Sequence, residues 1–284
     1  MSQKNIHRLT SLVVFLIATV TYFITAQPSV SFWDCGEFIA SSYSLQVPHP
    51  PGTPFFILIG RFLSMIPFAE NIAFRVNAIS ILSSGFTILF LYLSAVKLIE
   101  NYNKNKYENT LGAVGTYFSA AIGALSLAFA DTFWFNAVEA EVYAFSTFYI
   151  AFVTWLILLW NEKADNPDNE KYIIMIAYLI GLSIGVHLMS VLAMVPIVMI
   201  VMFRKYLKDD ATTKKTAFIF LIQAVVTVLI ALVIWGTATG TSAPSPDEYK
   251  AFDLRFVTLI GFFWVVYMGA MWKKFSKKTH STFQ

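Results

Sequence analysis

Cysteine is all but missing from this chain, with one residue, Cys35, in 284. That excludes an internal disulfide and any cysteine-based metal cluster, and leaves only a free thiol or a bridge to another chain. Charge is scarce too: 13% of residues are charged, against about one quarter in soluble domains. No HxxH or HExxH spacing occurs, and His49 and His187 lie far apart, so no metal-ligand pattern stands out. Walker-A and dinucleotide-binding glycine motifs are absent, as are internal repeats, low-complexity tracts and a soluble domain. The net charge of +3 carries no nucleic-acid signal, because the basic residues mark one membrane face.

What the chain has is apolar length, with 57% of its residues hydrophobic. Apolar runs occupy 10–26, 72–99, 111–130, 140–160, 172–203, 216–236 and 253–271. A spanning helix needs ~20 apolar residues. The fifth run is too long for one span, and Gly181, Gly185, His187 and Pro196 interrupt it. It is expected to form two short helices turning near His187 to Ser190, which brings the total to about eight spans. Lys4 and Arg8 precede the apolar stretch Leu12 to Ile24, which reads as an uncleaved signal anchor, because Ile24 suits no cleavage site.

The positive-inside rule tests this reading. With a cytoplasmic N-terminus and eight spans, all but four of the 20 basic residues fall inside; the exceptions are Arg61, Arg75, Lys250 and Arg255. The outside then receives Asp34, Glu37, His49, Glu70, Asp131, Glu139, Glu141, His187 and the loop 237–253. That polar asymmetry was not used to set the topology and supports an extracytoplasmic site. The chain divides into an all-α transmembrane domain, 1–272, with a large first outer loop, 27–71, and a cytoplasmic polar tail, 273–284. In that loop a helix is expected around Asp34–Ser44, then a proline-rich turn. A second, interfacial helix over 54–66 is too short to span.

Two polar stretches in the loop draw attention: Trp33-Asp34-Cys35-Gly36-Glu37-Phe38 and His49-Pro50-Pro51-Gly52-Thr53-Pro54. Asp34 and Glu37, three apart, share a helix face. They read either as a general base with its neighbour or as an N-cap and capping-box pair. The prolines stiffen a turn, whereas His49 can hold a phosphate or titrate near neutrality. Glu139 and Glu141, two apart on a helix, would point in different directions, so one of them is expected to face the site. His187 suits a structural group as well as a functional one. Arg61 and Arg75 could grip a phosphate or snorkel to headgroups. Trp33 could stack on a ligand or sit in an interfacial aromatic belt.

These motifs, with Asn136-Ala137-Val138-Glu139-Ala140-Glu141-Val142-Tyr143 and Gly181-Leu182-Ser183-Ile184-Gly185-Val186-His187, resemble the N-terminal membrane domain of the protein O-mannosyltransferase-like family of the GT-C glycosyltransferase superfamily. The resemblance implies a GT-C helical bundle that transfers a sugar, mannose by expectation, with inversion. Donor and acceptor would be a polyprenyl-phosphate sugar and an extracytoplasmic hydroxyl on a protein or glycan. It assigns Asp34 as general base and Glu37 as its support. His49 with Arg61 or Arg75 would hold the donor phosphate, and Glu139, Glu141, His187 and Trp33 would support the site. It implies no cofactor beyond the lipid-linked donor and leaves metal dependence open. Its partners are membrane lipids, the donor and the acceptor, with no nucleic acid. A bacterial inner membrane is favoured over the endoplasmic reticulum. Trp33, Phe38 and Trp134 would desolvate Asp34 and make it a stronger base. Relatives are often longer, with further spans and a C-terminal region. A non-catalytic membrane subunit and a transporter are the competing readings, although charges gathered at one face and the lack of a repeat argue against transport.

Overall fold

In a computed structural model, residues 2–50, 52–103 and 110–205 are described, together with scattered positions between 245 and 266. The chain forms two units, Met1–Tyr206 and Leu207–Gln284. The helices of the first unit are α1 (Gln3–Thr25), α2 (Cys35–Ser44), α3 (Pro54–Met65), α4 (Ile72–Tyr102), α5 (Thr110–Ala128), α6 (Asp131–Ala137), α7 (Val142–Lys163), α8 (Glu170–Ile184) and α9 (Met194–Lys205), the last preceded by a 3-10 helix, Leu188–Ala193. No strand occurs among the described residues. Among the described residues the protein is all-helical, and five stretches there are long and apolar enough to cross a membrane: α1, α4, α5, α7 and the run Leu188–Lys205. The apolar run 216–236 lies outside the described residues, and 253–271 is described only at scattered positions.

The central helix is α4, which packs against α1, α3, α5 and α7. Between helices in lipid, burial from water gives little drive, and close approach through small residues takes its place. The sequence supplies those residues. Along α4, Ser80, Ser83, Ser84, Gly85 and Thr87 are buried, and α5 buries Ala113, Ala120, Ala121, Ala124 and Ala128. Gly85 sits so close to α1 that a Cβ there would lie 2.1 Å from Thr19 Oγ1. A side chain of any size would push the two helices apart.

Contacts along the chain fix which helix ends lie together. At one end, Tyr22 donates to Ala128 O at 2.8 Å, Asn77 Nδ2 to Gln27 O at 2.8 Å and the Gln27 amide to Val138 O at 3.1 Å. At the other, Lys97 pairs with Glu162 at 2.7 Å, Lys205 Nζ donates to Ala164 O at 2.9 Å, and Arg204 pairs with Asp165. Ser190 bonds Ser146 near the start of α7 at 2.9 Å, while Arg204 and Lys205 reach its end. The segment 170–205 is therefore a hairpin against α7, in agreement with its interrupted sequence. Its helix stops at Ile184, and the chain breaks over Gly185 to His187. At 15 residues, and 1.5 Å per residue, α8 is about 22 Å long, short of a ~30 Å hydrocarbon core.

The segment between α1 and α4 folds as the two expected helices. Leu45 closes α2 in the left-handed conformation, φ 52°, with its N–H bonded to Ser41 O. Pro54 opens α3 at its first position, where a missing N–H costs nothing. One face of α3 buries Phe56, Ile57, Gly60 and Ser64, and Leu58, Phe62 and Met65 remain exposed. Gly60 lets α2 and α3 touch: a Cβ there would lie 2.2 Å from Ser42 Oγ. The Phe55 amide donates to Gly185 O at 2.7 Å, which ties α3 to the hairpin break.

Candidate functional site

The site grows from the first turn of α2. Asp34 is the N-cap residue by position, yet its side chain makes no cap hydrogen bond. Its carboxylate is exposed. The preceding Trp33 takes a left-handed backbone, φ 61°, and is 83% exposed. Glu37 does not complete a capping box. One of its oxygens accepts from the His49 amide at 2.6 Å, and the other meets His49 Nδ1 at 2.7 Å. A carboxylate acceptor makes Nδ1 the donor and turns Nε2 away from the pair.

The electrostatics follow from that contact. The hydrogen bond from His49 holds the Glu37 carboxyl below its ordinary value. The same bond raises His49, and the charges of Glu37, Asp34 and Glu141 add to the effect. Ligand-capable atoms of Asp34, Glu37 and His49 all lie within 4.8 Å of one another. Two carboxylates and an imidazole are donors that a divalent cation accepts, but here both Glu37 oxygens and Nδ1 are already engaged with each other.

Beneath this exposed layer lies a buried one. Cys35 is fully buried, and its thiol points at Glu141 Oε1, 3.5 Å away. Glu139 and Glu141 are 3% and 6% exposed. The expectation that only one of them turns inward rested on a helix, and the segment is not helical. Glu141 has extended backbone ahead of α7, φ −123° and ψ 146°, and its amide bonds Glu139 O at 2.9 Å. That turn draws both carboxyls inward. Ser80 of α4 holds Glu141 from the other side, donating to its carbonyl at 3.3 Å and accepting from its amide at 3.4 Å. Burial pushes the Glu141 carboxyl up to about 7, raises Glu139 and pushes the Cys35 thiol up to about 12. Asp34, which the sequence led us to expect in apolar surroundings, is exposed, and the buried carboxyls are those of Glu139 and Glu141. The Trp134 indole donates to Thr25 Oγ1 at 2.9 Å.

The remaining candidates make contacts of their own. Arg61 donates to Tyr43 O and stacks over the Tyr43 ring at 5.5 Å. Arg75 donates to the carbonyls of Ala69 (2.6 Å), Ser64 (3.0 Å) and Glu70 (3.4 Å), bracing the turn after α3. His187 caps the 3-10 helix, its Nδ1 accepting from the Met189 amide at 3.1 Å, and its ring meets Tyr143 edge-on at 5.3 Å. Sequence reasoning missed the part played by Cys35, whose only signal was its isolation between Asp34 and Gly36 in a chain without other cysteines.

Known proteins match this part of the chain. The profile of the "Protein O-mannosyl-transferase TMEM260 N-terminal domain" matches residues 34–210, a stretch that begins at Asp34. Protein O-mannosyl-transferase tmem260 of Dictyostelium discoideum is 25% identical over 161 residues, 56% of this chain and 18% of that protein. Protein O-mannosyl-transferase TMEM260 of Mus musculus is 23% identical over 203 residues, 71% of this chain and 27% of that protein. The chain thus aligns with only about a quarter, or less, of these curated relatives' length. Both are eukaryotic, so they lend no support to a bacterial inner membrane. No solved structure matches. A family profile that covers most of the chain and every candidate residue except Trp33 places this protein in the TMEM260 N-terminal-domain family of protein O-mannosyl-transferases.

Proposed function

We propose that this chain carries the catalytic membrane module of a glycosyltransferase that moves mannose from a polyprenyl-phosphate donor to a serine or threonine hydroxyl on the extracytoplasmic side. The supporting observation is the pairing of a carboxylate free of any capping bond, Asp34, with an imidazole, His49, whose Nδ1 is pinned by Glu37. All three lie at the end of the helices opposite Lys97, Lys163, Arg204 and Lys205. By the positive-inside rule that second end is cytoplasmic, so the site faces the other compartment. A bundle of about eight spans of the GT-C kind belongs to this same reading.

Chemically, Asp34 accepts the proton of the acceptor hydroxyl as its oxygen attacks the anomeric carbon. The bond from that carbon to the phosphate oxygen breaks on the opposite face, so configuration inverts. The phosphate departs with the bonding electrons, and the His49 imidazolium, with Nε2 free of the Glu37 contact, offsets the growing negative charge. Glu37 therefore serves Asp34 indirectly, by orienting His49. Arg61 stands at the margin as a further cation for the donor phosphate, and Arg75 could join only by releasing a carbonyl. His187, two residues beyond the Gly185 carbonyl that holds Phe55, supports the site together with Glu139, Glu141 and Trp33.

Donor class is the feature to test. Membranes containing the protein are given radiolabelled mannose either on polyprenyl phosphate or on a nucleotide, with a serine- and threonine-containing acceptor peptide. Transfer from the lipid-linked sugar alone is the expected result. Transfer from the nucleotide sugar with the lipid-linked donor inert would overturn the reading.

A further inference from the structure

Cys35 and Glu141 are 106 residues apart in sequence and meet under the first turn of α2. Both are buried. Glu141 is also clamped through its backbone to Ser80 of α4, so α2, α4 and the start of α7 converge on this one residue. Asp34 precedes Cys35 directly and, lacking a cap bond of its own, takes its position from what anchors the turn beneath it. We propose that Cys35 and Glu141 are a positioning pair for Asp34: the thiol donates to the buried carboxyl and locks the first turn of α2, which sets the direction of the exposed carboxylate.

Three features favour this over a space-filling thiol. A buried carboxyl needs a donor, and the Cys35 thiol supplies one at its Oε1. The titratable groups facing Glu141 are Asp34, Cys35 and Glu139, with His49 as the cationic group that also feels its charge. Burial favours the neutral carboxyl, with the charges of Asp34 and Glu139 adding to it, so Glu141 stays protonated below about 7. Finally, the site is held from α4 and α7 as well as α2, the arrangement that fixes a reacting group within the tolerance catalysis requires.

The proposal rests on Asp34 as the base, and the test separates the two claims. With one cysteine in the chain, a single S–H stretching band is available to infrared spectroscopy of the full chain in nanodiscs. That band should lie at the lower frequency of a bonded thiol and move lower still as pH rises through about 7, where Glu141 gains charge. In Glu141→Gln the pH response should shrink to the part that Glu139, which also faces the thiol, contributes. A band at the free-thiol position, unmoved by pH or by Glu141→Gln, would overturn the pairing. For positioning, mannose transfer from polyprenyl-phosphate mannose is followed in Cys35→Ala and Cys35→Ser. Misplacement of a catalytic group costs up to roughly 100-fold. Thus kcat should fall about 10- to 100-fold in Cys35→Ala with KM for the donor unchanged, and Cys35→Ser, which keeps a donor, should recover most of it. Equal kcat in all three proteins, or equal loss in both variants, would refute positioning. If wild-type protein transfers nothing, the Asp34 reading fails and the positioning claim with it, while the S–H band still decides whether the bond exists.

Discussion

His49 and Glu37 form the exposed half of the site, and their contact makes a residue-scale prediction. Hydrogen bonding to Glu37 raises His49 and lowers Glu37. The imidazolium therefore persists to higher pH than in a free histidine. Stability from the pair is present below the ordinary histidine value of 6.5 and is lost as pH rises through the elevated one. In histidine-labelled protein followed by NMR, Glu37→Gln should shift the His49 titration to lower pH; an unchanged midpoint would mean that the contact does not form. The buried half behaves differently. Glu141 is raised from 4.5 to about 7, so its contribution is full below 4.5 and is lost as pH climbs through about 7. Melting temperatures in detergent should fall as pH rises from 4.5 to about 7, and Glu141→Gln should flatten that slope. That Asp34, Glu37 and His49 come together was legible because their motifs are local. The burial of Glu139 and Glu141 was not, since it depends on a non-helical turn and on a partner, Cys35, more than a hundred residues away.

At the scale of elements, the apolar runs located the helices well, because in a membrane length and hydropathy settle most of the matter. Gly181, Gly185 and Pro196 also announced a broken hairpin, which the contacts of Ser190, Arg204 and Lys205 with α7 bear out. Helix α6 was not foreseen; its seven residues, Asp131–Ala137, are too few for a periodic signal. Helix-to-helix register was equally illegible, because it depends on which small residues face each other. Gly60 shows the consequence. In Gly60→Ala the new Cβ would meet Ser42 Oγ at 2.2 Å, and such overpacking costs about 1–3 kcal/mol. Gly123→Ala in α5 meets nothing within 4 Å and should leave stability unchanged or slightly improved through helix propensity. Thermal unfolding of the two variants beside the wild type checks the contrast, and equal melting temperatures would show that α2 and α3 do not pack as described.

At the scale of the whole unit Met1–Tyr206, polar chemistry is segregated. Lys97, Lys163, Arg204 and Lys205 cluster at one end, and Asp34, Glu37, His49, Glu139 and Glu141 at the other. The charge parity of the sequence anticipated this division, because basic residues are retained on the cytoplasmic side during insertion. An orientation experiment tests it. With Cys35→Ser as background, Phe32→Cys should react with a membrane-impermeant thiol reagent from the extracytoplasmic side, and Lys171→Cys only from the cytoplasmic side. Labelling of both from one side would contradict the proposed topology. The central claim, that Asp34 is the base of a sugar transfer, is tested most directly by measuring mannose transfer from polyprenyl-phosphate mannose in membranes holding equal amounts of wild-type and Asp34→Asn protein. Loss of a general base lowers turnover by about 100- to 10,000-fold, and that loss is the predicted result. Equal transfer by the two proteins would contradict the account.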